Sequence, residues 1–123
     1  MGKREKIIKP RRGEIWLVNF DPTSGAEIKK TRPALILQND VANIYSPVTI
    51  VAAITSHFDL PLYPTEVFIR RGEGGLQEES VALLNQIRTI DTARVMRHIG
   101  MITQDTVHRV DEAIKISFSL IDG

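Results

Sequence analysis

Lys29-Lys30-Thr31-Arg32-Pro33-Ala34-Leu35-Ile36-Leu37-Gln38-Asn39-Asp40 and Val48-Thr49-Ile50-Val51-Ala52-Ala53-Ile54-Thr55-Ser56 decide the fold of this chain. Each is an apolar core closed off by polar or turn-forming residues, which reads as a short strand: Ala34 to Gln38 in the first, Val48 to Ile54 in the second. The second is almost wholly apolar, as expected of a strand covered on both faces. Laid side by side, the two strands bring Arg32 and Thr55 to one sheet edge. A guanidinium is a rigid five-donor fork that matches a phosphate, and a threonine hydroxyl adds one more hydrogen bond. The pair makes a phosphate-handling site that needs no metal.

Working outward, Gly13 to Phe20 reads as a strand, and Asp21-Pro22-Thr23-Ser24-Gly25 is dense in turn formers. The loop from Asp21 to Lys30 is long for a hairpin, and long loops in compact domains often carry function. Asn39 to Pro47 reads as a connection with Asn-Asp and Ser-Pro breakers. Further strands are expected at Thr65 to Ile69, Ser80 to Leu84 and Gln86 to Ile90. Arg71-Gly72-Glu73-Gly74-Gly75 is too irregular for a phosphate-binding glycine motif. Asp91 caps a helical turn ending near Gly100, with a last strand at Met101 and Ile102. Thr103 or Asp105 then starts the one long helix, to about Ile121. Its stripe of Val107, Val110, Ile114, Phe118 and Ile121 is widened by Ala113, Ile116 and Leu120, more than one sheet face needs, which points to a partner subunit. The pattern as a whole predicts a mainly β, α+β domain: a small curled sheet or partial barrel with a long C-terminal helix.

The 123 residues suit one domain, with residues 1–10 as a flexible basic arm and 11–123 as the folded unit. There are no cysteines, which removes disulfides and thiolate metal sites and fits a reducing cytoplasm. No apolar run approaches a membrane span, and no apolar stretch follows the N-terminal charges as in a secretory signal. The net charge of +1 hides an asymmetry: residues 1–12 hold six of the sixteen Lys and Arg and only one acid, so the remainder carries a net of −4. Such an arm attracts a phosphate backbone, or is a solvated tail. Any nucleic-acid groove on the body must then be a local basic feature.

Arg12-Gly13-Glu14-Ile15-Trp16, the Thr31-Arg32-Pro33 strand start, the Gln38-Asn39-Asp40 stop, the Ala53-Ile54-Thr55-Ser56 strand end and Leu84-Asn85-Gln86-Ile87-Arg88-Thr89-Ile90-Asp91 follow one another in order. Together they resemble the MazF/PemK family of toxin endoribonucleases, from about Arg11 to the C-terminus. The resemblance implies an SH3-like barrel with added helices, a homodimer and a cognate antitoxin whose disordered acidic tail occupies the RNA groove. It also implies metal-independent cleavage of single-stranded mRNA by attack of the 2′-hydroxyl, leaving a 2′,3′-cyclic phosphate and a 5′-hydroxyl, with no cofactor.

On that reading Arg32 and Thr55 are catalytic, Arg32 as an electrostatic clamp and proton donor and Thr55 on a phosphoryl oxygen or the 2′-hydroxyl. Ser24, Glu27, Lys29 and Lys30 belong to a loop over the site that contacts RNA, where Glu27 reads a base edge. Gly25-Ala26 replaces the polar pair many relatives carry before this acid. Gln86 reads a base and Arg88 holds a phosphate, although Arg88 pairing with Asp91 or another acid is an equal alternative. Asn85 stands where relatives often carry an acid. Nothing places any two of His57, His98 and His108 together as an acid–base couple; His57 lies nearest Thr55, and His108 falls on the helix surface. No residue spacing suggests a zinc or calcium site. Two rival readings share the fold: a non-catalytic gyrase-poison-like toxin, and an antitoxin-binding transcriptional co-repressor.

Overall fold

The computed structural model describes residues 9–20 and 31–123. Six strands run as β1 (Glu14–Asn19), β2 (Thr31–Ile36), β3 (Val48–Thr55), β4 (Glu66–Ile69), β5 (Ser80–Asp91) and β6 (Val95–Met101), with helices α1 (Asp40–Tyr45) and α2 (Gln104–Ser117). They form one antiparallel sheet in the order β4-β5-β3-β2-β1-β6. The sheet is barrel-like but open, with β4 and β6 as its edges. This is the mainly β architecture with a C-terminal helix that the sequence predicts.

The apolar run of β3 is explained by burial on both faces. Ala52 and Ile54 enter a cluster with Ile15, Leu35 and Leu84 that the α2 residues Val110 and Ala113 cover. Val51 enters a second cluster with Val18, Ala34, Ile36 and Ile90. Helix α2 starts where its cap residue predicts: the Thr103 side chain accepts from the Thr106 amide. It ends at Ser117 rather than Ile121, and Ser119 adopts a left-handed φ of 61°. Phe118, Leu120 and Ile121 therefore lie beyond the helix and stay exposed.

Three segments depart from expectation. Asn39 to Pro47 holds a six-residue helix, because Asn39 acts as an N-cap, accepting from the Ala42 amide at 2.8 Å. β5 is one strand rather than two; Ala52 pairs with Ile87 but Ile54 with Ala82, so a bulge sits where Asn85 and Gln86 interrupt the pattern. The helical turn after Asp91 is only Thr92–Arg94, and β6 already begins at Val95.

The Gln38-Asn39-Asp40 segment closes this part of the fold. Buried Asn43 donates to the Gln38 carbonyl (2.9 Å) and accepts from Gln38 Nε2 (3.0 Å) and Thr49 Oγ1 (2.8 Å). Asp40 accepts from the Arg12 amide at 2.7 Å. Arg12 also spans to α2, pairing with Asp111 at 2.7 Å, and Lys9 donates to the Ile44 carbonyl. These two members of the basic N-terminal segment are thus engaged within the fold.

The glycines at 74, 75 and 100 have a packing cause. A 3-10 turn at Glu73–Gly75 lies directly on β6, and a Cβ at Gly100 would fall 2.4 Å from the Gly74 carbonyl carbon and oxygen. Gly75 has φ +80°, and a Cβ there would meet the Ile99 oxygen at 2.4 Å. Backbone rests on backbone along this seam.

Candidate active site

The β2–β3 ladder pairs Leu35 with Ala52 and Ala34 with Ala53. Two residues beyond the last of these pairs, Arg32 on β2 and Thr55 on β3 lie at the same end of the two strands, where side chains are free of the core. Arg32 is exposed and Thr55 half-buried. Both line two adjoining cavities. The first, of about 710 Å³, is floored by residues from a row across the sheet, with Arg97 facing Leu17 and Leu17 facing Pro33, and is walled by Gly75, Leu76 and Glu78. The second, of about 580 Å³, is lined by the segment after β3, including Asp59, Leu60 and Tyr63, together with Glu66 of β4 and Leu83 and Gln86 of β5.

Among the described residues, Arg32, Thr55 and His57 alone line both cavities. They form the partition between the two halves of one divided cleft. The partition is held by a tight turn: the His57 amide donates to Thr55 Oγ1 at 3.0 Å, and that hydroxyl donates to the His57 carbonyl at 3.3 Å. The acceptor bond fixes the oxygen, while the long donor bond leaves its proton easily redirected.

The charge of the described lining is divided. Arg32 and Arg97 outweigh Glu78 in the first chamber, whereas Arg32 faces Asp59 and Glu66 in the second. A basic feature is therefore present on one side of the partition, not throughout the groove. Arg70 and Arg71 line a neighbouring hollow with Ser56 and Glu79.

Gln86 projects from the β5 bulge into the second chamber, beside Arg32 and Thr55. Arg88 does not join them: its guanidinium carbon lies 5.0 Å from the centre of the Phe20 ring, a cation–π contact. Asp91, its suggested partner, instead accepts from the Ala93 amide at 2.8 Å. Ser24, Glu27, Lys29 and Lys30 lie outside the described residues. His98 stands away from the partition, edge-on to Trp16 and 3.4 Å from Glu14, and His108 is exposed on α2. No group of three or more His, Cys, Asp or Glu among the described residues is placed to hold a metal ion.

Sequence reasoning missed Leu17, Arg97 and the Gly75–Glu78 wall. They come from β1, β6 and a loop far along the chain and share no motif with Arg32. Tyr63 and Glu66 were better signposted, since Pro61 and Pro64 mark a turn-rich segment leaving the Thr55 strand end.

Residues 11–118 match the family described as PemK-like, MazF-like toxin of type II toxin–antitoxin system. The chain belongs to this family. It is 41% identical over 112 residues to Endoribonuclease EndoA of Bacillus subtilis (strain 168), covering 91% of this chain and 97% of that protein. Among solved structures it is similar to the Mycobacterium tuberculosis toxin MazF-mt6, at 27% identity, a TM-score of 0.73 and coverage of 86% and 96% of the two chains. A MazE–MazF structure from Deinococcus radiodurans shares the fold, with a TM-score of 0.79 at 23% identity and coverage of 94% and 100%. Such structures place the barrel-like sheet of this MazF/PemK member in a known architecture.

Proposed function

We propose that this chain is the toxin of a type II toxin–antitoxin pair and acts as a sequence-specific endoribonuclease on single-stranded mRNA. The observation that carries this reading is the partition: Arg32 and Thr55 side by side in a divided cleft, within a fold whose relative is an endoribonuclease. An RNA strand crossing the partition places one nucleotide in each chamber and its linking phosphate at Arg32. Unstacked bases of a single strand are the ones such hollows can read.

The substrate's own 2′-hydroxyl attacks the phosphorus, yielding a 2′,3′-cyclic phosphate and a 5′-hydroxyl. Arg32 binds the phosphoryl oxygens as charge builds on them, and Thr55 turns its proton from the His57 carbonyl to one of these oxygens. Positioning and preorganised charge then supply much of the barrier reduction without a metal. Gln86 offers an amide to a base edge in the second chamber, and Glu27 and the Lys29–Lys30 pair act from the residues that precede β2 in the sequence.

A cognate antitoxin blocks this groove. In support, a mycobacterial endoribonuclease of the same fold has been solved in complex with its cognate antitoxin. The protein works as a homodimer in the cytoplasm. Exposed Phe118, Leu120 and Ile121 supply apolar surface for a second copy, and no described helix is long and apolar enough to cross a membrane.

The test is incubation of the purified protein with a long mixed-sequence transcript in chelator. Discrete fragments ending in cyclic phosphate are expected. An intact transcript alongside inhibition of gyrase would overturn the nuclease reading in favour of a binding toxin.

A further inference from the structure

Resting on the nuclease reading, we propose that His57 is the group that protonates the departing 5′-oxygen. Three described residues belong to both chambers, so a strand with one nucleotide in each brings its linking phosphate to the residues the chambers share. A guanidinium and an alcohol keep their protons near neutral pH, so they bind and orient. An imidazole is the side chain that exchanges one there. His57 is exposed, and its backbone is clamped to Thr55 Oγ1 through both its amide and its carbonyl. The hydroxyl that orients the phosphate thus also fixes the ring's point of attachment.

The charged and titratable groups lining the two chambers beside His57 are Asp59, Tyr63 and Glu66 in the second and Glu78 and Arg97 in the first, with Arg32 in both. The 2′-oxygen bonds to phosphorus as the bond from phosphorus to the 5′-oxygen breaks. The 2′-hydroxyl proton passes to water, and the imidazolium N–H proton passes to the 5′-oxygen. Neutral His57 is then reprotonated from solvent.

The test uses the full chain and an oligonucleotide spanning a mapped cleavage site, made with a normal 5′-oxygen or with a bridging 5′-sulfur, a leaving group that needs no proton. His57→Gln should lower kcat/KM on the oxygen substrate about 10²-fold or more, yet cleave the sulfur substrate at the wild-type rate. Arg32→Ala should slow both. Equal deficits of His57→Gln on the two substrates, or cleavage of the oxygen substrate at the wild-type rate, would overturn the role of His57 alone. A wild-type protein that leaves the transcript whole would overturn the nuclease reading and this role with it.

Discussion

Arg32 and Thr55 stand on neighbouring strands and line both chambers of one cleft, although 23 positions separate them in the chain. Their substitution effects should differ in kind. Arg32 is exposed, so Arg32→Ala should leave the melting temperature within the small range usual for surface changes while kcat/KM falls about 10²–10³-fold. Arg32→Lys keeps the charge but loses the fork and should recover only part of the rate. Thr55→Ala should lose activity and also about 1 kcal/mol of stability, because the His57 amide loses its acceptor; Thr55→Ser should restore both. Parallel cleavage assays and thermal melts decide each case.

Asn43 is a structural residue with no place in the cleft. Asn43→Ala strips partners from Gln38 and Thr49 in a buried setting and should cost about 2–3 kcal/mol. Urea denaturation would show this as a lower midpoint with an unchanged slope. Cleavage per folded molecule should be unaltered, and a variant as stable as wild type would remove the network from the account of this fold.

The seam between the 3-10 turn and β6 gives a paired prediction. Gly100→Ala drives a methyl group into the Gly74 backbone and should cost about 1–3 kcal/mol, with a loss of cleavage because Gly75 and Leu76 wall the first chamber. Gly72→Ala meets nothing within 4 Å and bears only the strain of φ +96°. It should destabilise the protein while leaving the rate per folded molecule unchanged. Equal losses of rate would mean that the seam does not shape the cleft.

Glu73 makes stability depend on pH. Partial burial raises its pKa, but the Thr106 hydroxyl, the Thr103 amide and hydroxyl, and the Arg109 charge outweigh this and hold it below the usual carboxylate range. A depressed carboxylate pKa adds stability that is fully present above the unfolded value and fades as pH falls through the folded one. Glu73→Gln should therefore be less stable than wild type near pH 7, by roughly 1 kcal/mol given the position of the carboxylate at the start of α2. The gap should close as melts are taken below about pH 4. A gap that is constant from pH 7 to pH 3 would exclude the charge as its source.

Much of the fold was legible because its signals are local. The Val48–Thr55 run, the Thr103 and Asp91 caps and the α2 stripe each declare themselves within a few residues. What escaped depends on tertiary context. Helix α1 hid behind Asn39, which reads equally as a breaker or a cap. β6 has only Val95 fully buried among its seven residues, so no alternation marks it as a strand. For the site, Arg32 and Thr55 could be paired from the strand ends that carry them. Arg97 could not, since only the placement of β6 beside β1 brings it to the cleft.

The division of the cleft bears on what happens after the cut. On the proposed path, with one nucleotide in each chamber, each fragment has its own compartment to one side of Arg32, Thr55 and His57, so neither has to pass the other on the way out. Release of the two ends can then proceed independently, and a fragment lingering on one side would still occupy half the groove against the next strand.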